Sequence, residues 1–449
     1  MRLKLLSLAL ALSAISLPSH GEDLLDAYRE ARANDPVLSQ ADAQRLSIGE
    51  NVNQVRALLL PQVSAGLSLS QTTSSGSSVT RDPNTGQVVQ TTADPGHSRT
   101  RDISGNLSQT VLDLSKIANL KAAHSQASAQ DALYQAALQD LFVRVSTAYF
   151  NVLTSQDNLA FAKANEEAYK QQYEQSDQRF KVGLSAITDV YQAKSFYESA
   201  KAQTIAARNT LDDAREALAQ ITGKPTGDLK KLRDDLPMSP PVPNDQKAWV
   251  DQALQNNPNI ISEKFSVDAA EHSISAARAG HLPTINANVS YGKSATWYQN
   301  SNLHFRQPSS TTIGLTLSVP IFEGGATQSR VRQSIYQRDA AQDTLEAQRR
   351  QVTRDTLNYY RSVIAGISQV EAAKSAVEAG QKALDATRAG FGVGTKTILD
   401  VLTAIQTLTS SESQYSQARH QFILDKLLLK QATGTADLKD VEAINALLE

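Results

Sequence analysis

Two stretches of this chain, Phe180 to Gly223 and Phe391 to Gly434, carry one pattern of apolar and polar positions and overlay without a gap. Phe180, Val182 and Gly183 meet Phe391, Val393 and Gly394; Ile187, Asp189 and Val190 meet Ile398, Asp400 and Val401; Gln220, Thr222 and Gly223 meet Gln431, Thr433 and Gly434. Within them Val190, Tyr197, Thr204, Leu211 and Leu218, then Val401, Leu408, Tyr415, Phe422 and Leu429, recur at seven-residue spacing. Such a seam stays on a partner only if the helix tightens from about 3.6 to about 3.5 residues per turn, so the pattern predicts left-handed coiled-coil helices. Each follows a glycine turn and stops at a Thr-Gly end. Ahead of each turn the same spacing runs through a longer segment, Leu138, Val145, Val152 and Leu159 in the first half and Val363, Val370, Val377 and Leu384 in the second. Some 65 residues of helix at about 1.5 Å each make a rod of roughly 100 Å.

Upstream of the long helices the period drops to two. Val63, Ala65, Leu67 and Leu69 alternate with Ser64, Gly66, Ser68 and Ser70, and Ile103, Gly105 and Leu107 with Ser104, Asn106 and Ser108. In the second half Ile285, Ala287, Val289 and Tyr291 alternate with Asn286, Asn288, Ser290 and Gly292, and Ile313, Leu315, Leu317 and Val319 with Gly314, Thr316 and Ser318. Each half thus predicts one β-hairpin. Thr72 to Arg99 and Ala295 to Ser310, polar and rich in turn formers, read as long loops between the strands. Two placements satisfy the alternation: a soluble sheet with one wet face, or a membrane sheet. Strand lengths near the 9–11 residues that cross a bilayer, and a polar face of Ser, Asn, Thr and Gly, favour the second, with Trp297, Tyr298 and Tyr291 as an interfacial aromatic girdle. Four strands are too few to close a barrel, and an open edge is not tolerated in lipid, so a membrane sheet requires several chains.

Proline marks the boundaries. All 14 prolines lie outside Gly96 to Lys224 and Ile321 to Glu449, which leaves both stretches free for long helices. The resulting organisation is a signal peptide at 1–21; a first repeat at 22–224 with strands near 61–73 and 101–112 and helices near 114–181 and 187–222; a proline-rich hinge at 225–245; a second repeat at 246–434 with strands near 284–297 and 310–320 and helices near 326–391 and 397–433; and a tail at 435–449, helical and packed at mid-height. Arg2 and Lys4 before the apolar run Leu5 to Leu17 carry the export reading. No later stretch is apolar for long enough to span a bilayer as a helix, so any crossing must be made by strands.

Composition narrows the function. Net charge is -2 over 449 residues, which implies no nucleic-acid partner, and the absence of cysteine removes disulfides, thiol catalysis, cysteine metal sites and a lipidated N-terminal cysteine. The 7 histidines are scattered, with no metalloprotease motif, nucleophile elbow or phosphate loop, so neither an enzyme nor a cofactor is expected.

The doubled order of helix, hairpin, long helix, glycine turn and returning helix resembles the TolC family of outer membrane exit ducts. Pro320-Ile321-Phe322-Glu323-Gly324-Gly325 is similar to the family's strand-to-helix signature, and Thr147-Ala148-Tyr149-Phe150-Asn151-Val152-Leu153 to its first long helix. Val182-Gly183-Leu184-Ser185-Ala186-Ile187-Thr188-Asp189-Val190 and Val393-Gly394-Thr395-Lys396-Thr397-Ile398-Leu399-Asp400-Val401 are similar to its helix-hairpin tips. The resemblance implies a mainly helical chain with transmembrane β-structure, a duplicated unit whose four strands build one third of a twelve-stranded barrel. It implies a homotrimer set in outer membrane lipid of a Gram-negative cell. Its helices would extend into the periplasm as a tapering tunnel that opens by iris-like untwisting. The implied partners are a periplasmic adaptor and an inner-membrane efflux pump or ABC-type secretion transporter.

By the same resemblance Val182, Gly183, Leu184, Val393, Gly394 and Thr395 are the adaptor-docking tips. Asp400 is a ring of three axial carboxylates able to hold a blocking cation, and Thr188 and Asp189 latch against Lys396 of a neighbouring helix pair. The sequence departs from the family's best-studied pattern at two gate positions: Phe391 stands where a tyrosine hydroxyl would reach Asp189, and Thr403 stands where a second aspartate would lie. A weaker latch and weaker multivalent-cation block are expected. The competing reading is a wholly periplasmic coiled-coil adaptor, from which the β-hairpins discriminate.

Overall fold

A computed structural model describes residues 22–298, 304–306 and 309–449; the expected signal peptide lies outside the described residues. The elements run α1 (Leu24–Asn34), α2 (Pro36–Ala57), β1 (Gln62–Arg81), β2 (Val88–Leu112), α3 (Leu114–Lys181), α4 (Ile187–Thr222), α5 (Gln246–Asn256), α6 (Pro258–Ala279), β3 (Thr284–Tyr298), β4 (His304–Arg306), β5 (Ser310–Ser318), α7 (Ala326–Gly392), α8 (Ile398–Ala432) and α9 (Leu438–Asn445). They group into two compact units: one of residues up to Arg45, Gln130–Glu263 and Leu345–Glu449, the other of Leu46–Ala129 and Lys264–Thr344.

The second unit holds the sheet. β1 pairs antiparallel with β2, β2 with β3, and β3 with both β5 and the short β4, so the returning strand of the second hairpin is made in two pieces. β1 lies at one edge and the β4–β5 strand at the other, and among the described residues neither edge is paired. Most of the loop expected at Thr72 to Arg99 is instead strand: β1 and β2 stay paired from Gln62↔Ser108 out to Arg81↔Val88. The chain reverses only at the Asp-Pro-Asn-Thr-Gly turn, where Asp82 N–H bonds to the Gln87 carbonyl at 3.0 Å and the Asp82 side chain accepts from Asn84 N–H at 2.9 Å. A sequence run of Ser and Thr lacks the apolar alternation by which hydropathy recognises a strand, while the backbone ladder needs no such alternation. Likewise Ala295 to Tyr298, read as loop, continues β3, and Ala295–Trp297 pairs with Arg306–His304.

The two faces of the sheet separate cleanly. Val63, Ala65 and Leu67 oppose Leu107, Gly105 and Ile103, which oppose Val289, Tyr291 and Lys293, while Ile313, Leu315 and Leu317 oppose Val289, Ala287 and Ile285. The other face is Ser, Asn, Gly and Thr. Tyr291 and Trp297 stand on the apolar face, but Tyr298, one residue on, belongs to the polar one, so the girdle of three aromatics is reduced to two. Among the described residues no helix is long and apolar enough to cross a membrane.

In the first unit the seven-residue seams are the core. Val145, Val152, Val363, Val370, Leu211, Leu218, Phe422 and Leu429 are buried together with Tyr149, Phe150 and Trp249. Helix ends are tied in the same way in both repeats. The Asn34 amide donates to the Thr222 carbonyl and the Asn257 amide to the Ala432 carbonyl, each at 2.8 Å. Satisfying those terminal carbonyls is what lets α4 and α8 stop inside packed structure.

The stretch expected as a hinge is pinned at both ends. Glu22 N–H bonds to the Asp228 carbonyl at 2.8 Å, and Lys231 exchanges backbone bonds with Glu449 at 3.0 and 2.9 Å. The Tyr149 hydroxyl donates to the carbonyls of Glu22 and Lys230. Residues 225–245 therefore form a strap that ties Glu22 to Glu449, with α9 packed beside it.

Candidate functional site at the paired helix turns

Each long helix ends in the same device. Gly183 and Gly394 take φ of +77° and +82°, a region open to glycine and strained for other residues. The chain behind each glycine folds back onto the finished helix: Leu184 N–H bonds to the Arg179 carbonyl at 2.8 Å and Thr395 N–H to the Gly390 carbonyl at 2.9 Å. Neither glycine has anything within 4 Å of where a Cβ would stand, so the demand is purely conformational. The turns leave Val182, Leu184 and Val393 exposed at 68%, 70% and 78%, three apolar side chains left uncovered among the described residues.

The helices that leave the turns are capped differently. Thr397 and Asp400 form a reciprocal capping box: Thr397 Oγ1 accepts from Asp400 N–H at 3.2 Å, and Asp400 Oδ2 accepts from the Thr397 N–H at 2.8 Å and hydroxyl at 2.9 Å. The backbone and hydroxyl donors of Thr397 hold the Asp400 carboxyl below the usual carboxylate range. α4 begins at Ala186 with no side-chain cap, and its Asp189 accepts instead from the Ser185 hydroxyl at 3.0 Å. An uncapped first turn makes α4 the weaker start. Thr397→Ala costs α8 its cap, about 1 kcal/mol; amide hydrogen exchange over residues 398–402 should quicken roughly fivefold, with α4 unchanged.

Below the turns α8 is anchored on one side. Ile398, Val401, Leu402, Ile405 and Leu408 are buried against Tyr169, Ala200 and Leu384. The Tyr169 hydroxyl donates to the Leu402 carbonyl at 3.1 Å, and its burial pushes the phenol up to about 12. Asp400 is half-buried and Thr403 exposed, on the helix face turned from this cluster. Lys396 folds back over the end of α7, where a Cβ on Gly390 would come 2.8 Å from Lys396 Cγ. Among the described residues no hydrogen bond or ion pair within the chain joins Lys396 to Thr188 or Asp189.

Three features of this region were not read from the sequence. The Arg179 guanidinium lies 4.8 Å from the Phe391 ring centre, so the ring expected at the gate meets a cation from the other hairpin. A polar ladder ties α3 to α8: Asp157 accepts from Ser416 at 2.6 Å, Asn158 from Ser413 at 2.7 Å, and the Thr154 hydroxyl lies 2.7 Å from His420 Nδ1. Burial pushes His420 down to about 4, which keeps it neutral in the helix seam. Only the seven-residue apolar rows had signalled this interface, and polar residues within a seam leave no periodic trace. The Thr397 cap, by contrast, is legible as a Thr-x-x-Asp box. Among the described residues no cluster of His, Cys, Asp or Glu fits a metal ion.

Comparison with known proteins places this architecture. The family model described as "Outer membrane efflux protein" matches residues 27–224 and 249–435, the two repeats. Outer membrane protein TolC of Escherichia coli (strain K12) is 35% identical over 447 residues, covering 98% of this chain and 87% of that protein. The alkaline protease secretion protein AprF of Pseudomonas aeruginosa is 28% identical, covering 94% of this chain and 86% of its own. In fold, the Campylobacter jejuni CmeC outer membrane channel superposes with a TM-score of 0.75 at 17% identity, covering 95% of this chain and 90% of that one. The doubled hairpin and helix pair, the turn strings and this coverage together make the chain a member of the outer membrane efflux protein family, TolC-like in architecture and located in the outer membrane.

Proposed function

We propose that this chain is the exit duct of an export machine, carrying drugs, secreted proteins or both across the periplasm and outer membrane from an inner-membrane pump and its periplasmic adaptor. One observation carries the reading: an amphipathic sheet, four strands wide with β4 and β5 sharing the last place, whose two edges are unpaired among the described residues. In lipid those edges must be closed by other chains, and three copies with four strands each give a barrel of about twelve, within the range of closed barrels. The relatives fit both cargo classes, since one is named for protease secretion and the family for efflux. A wholly periplasmic coiled-coil adaptor gains nothing from relatives that bear outer-membrane names.

At the helix turns, the exposed Val182, Leu184 and Val393 suit an apolar contact with an adaptor. Asp400, held ionised by Thr397, would supply one carboxylate per chain to a constriction ring, with Thr403 one turn along. A ring of carboxylates selects cations and retains multivalent ones. Asp189 and Thr188 of one helix pair and Lys396 of the next would form the latch, loosened by the missing hydroxyl at Phe391. The latch and ring have no catalytic part: the duct makes and breaks no bond, and the pump supplies the energy.

Conductance in a planar bilayer tests this. The wild-type protein should give a small cation-selective conductance that trivalent cations block from the tip side. Asp400→Ala should lose that block, and Thr403→Asp should strengthen it about tenfold. Equal block in wild type and Thr403→Asp would remove Thr403 from the constriction, and a protein that never enters the bilayer would overturn the duct itself.

A further inference from the structure

The apolar face of the sheet ends abruptly toward the hairpin turns. Leu67, Ile103 and Ile313, exposed at 66%, 40% and 78%, belong to the apolar band; the next rung has Leu69 opposite Arg101 and Arg101 opposite Ala295. Lys293 stands opposite Ile103, and one rung further Arg99 lies between Gln71 and Trp297. Directly paired residues of an antiparallel ladder share a face, and the alternation along each strand repeats it. Arg99, Arg101 and Lys293 are thus three cations on one face at the rim of the apolar band.

Their partners are neutral. Arg101 lies 5.6 Å from the Trp297 ring centre, and Arg99 Nε donates to Gln71 Oε1 at 3.1 Å. Among the described residues none of the three pairs with a carboxylate. Asp102 points to the opposite face, where it accepts from Ser68 at 3.3 Å. Three uncompensated cations are costly at the edge of a low-dielectric band unless an anion meets them, and the anions at that depth are headgroup phosphates.

We propose that Arg99, Arg101 and Lys293 form a binding site for the phosphate of an anionic phospholipid or glycolipid headgroup, in the leaflet reached by the hairpin turns. The two guanidiniums offer paired donors to phosphate oxygens and the ammonium a point charge. A zwitterionic headgroup is recognised less well, because this face has no carboxylate to receive its ammonium. Trp297, level with Arg99 and against the Arg101 guanidinium, stands in the same headgroup zone. The inference rests on the membrane placement of the sheet.

The test uses Trp297 as its own reporter, since it is one of only 2 tryptophans. Full-length Trp249→Phe protein is reconstituted into phosphatidylcholine vesicles in which either phosphatidylcholine or a minor fraction of phosphatidic acid carries brominated chains; if that variant folds poorly, the Trp297→Phe signal is subtracted from wild type. Brominated phosphatidic acid should quench as if enriched about tenfold around Trp297. The Arg99→Gln, Arg101→Gln, Lys293→Gln variant should fall below about twofold, because it removes all three charges that attract the phosphate. Equal enrichment of both lipids in wild type overturns the site while leaving the sheet in the bilayer. Quenching by neither lipid overturns the membrane placement and the site with it. Loss of the preference on adding inorganic phosphate at constant ionic strength would make this a site for soluble anions and overturn the lipid assignment.

Discussion

Gly434→Ala destabilises this chain by about 3–5 kcal/mol, far more than alanine at the equivalent turn glycines. Gly434 combines a φ of +70° with contact: a Cβ there would lie 2.3 Å from the Asn256 carbonyl oxygen and 2.8 Å from Asn257 Cα. Both obstacles are backbone, held by the Asn257 amide on the Ala432 carbonyl, so neither can swing aside. Gly223, its counterpart, has φ +76° but meets the Asn34 side chain at 2.9 Å, and Gly183 has φ +77° with nothing within 4 Å. Thermal unfolding of the detergent-solubilised protein, followed by helical circular dichroism, should rank the alanine variants as Gly434, then Gly223, then Gly183. The first should lower the midpoint by about 4–8 °C, and the last should carry only the roughly 1 kcal/mol of positive-φ strain. Equal shifts for Gly434 and Gly183 would show that the close approach to Asn256 is not rigid.

That ranking also marks where sequence reading stops. The shared Thr-Gly ends announced a helix stop, and the seams Val190 to Leu218 and Val401 to Leu429 announced which face would be buried, because both are local or periodic properties of the chain. The strand alternation did the same for Val63 to Leu69 and Ile285 to Tyr291. What lies against Gly434 is a peptide far away in sequence, and nothing around Asn256 signals the approach. The outer half of the β1–β2 hairpin was missed because a polar sequence without alternation hides a strand whose backbone pairing is intact. At the turns, Asp400 and Thr397 were readable as a cap, whereas Arg179 over Phe391 joins the ends of two helices that only the fold brings together. Asp35 shows the same division. Its place before Pro36 reads as a helix start, and its oxygen does accept from Leu38 N–H at 2.9 Å, yet its partner Arg144 lies in the middle of α3, beside the seam residue Val145, where nothing in the sequence points to Asp35.

Arg144→Met should destabilise the chain by about 3 kcal/mol at pH 7, because it strands a carboxylate rather than merely deleting a contact. The Asp35 side chain is 2% exposed and takes two bonds from the Arg144 guanidinium, at 3.2 and 2.7 Å. Burial acts to raise the Asp35 carboxyl, but the Arg144 and Leu38 donors outweigh it and hold the group below the usual carboxylate range. In the wild type, then, the folded pKa lies below the unfolded one, and the stabilisation is complete above the unfolded value and lost only as pH falls through the folded one. Without Arg144 burial prevails over the remaining backbone donors and the folded pKa rises above the unfolded value. The penalty is then full at pH 7 and is relieved as pH falls, since protonation removes the stranded charge. The stability gap between wild type and Arg144→Met, read from denaturant midpoints, should therefore narrow between pH 7 and pH 5. Adding Asp35→Asn to the variant should recover at least about 1 kcal/mol at pH 7, because asparagine keeps an oxygen for Leu38 N–H and carries no charge. A gap independent of pH, with no recovery in the double variant, would assign the loss to packing of the arginine stem along α3 instead of to the pair.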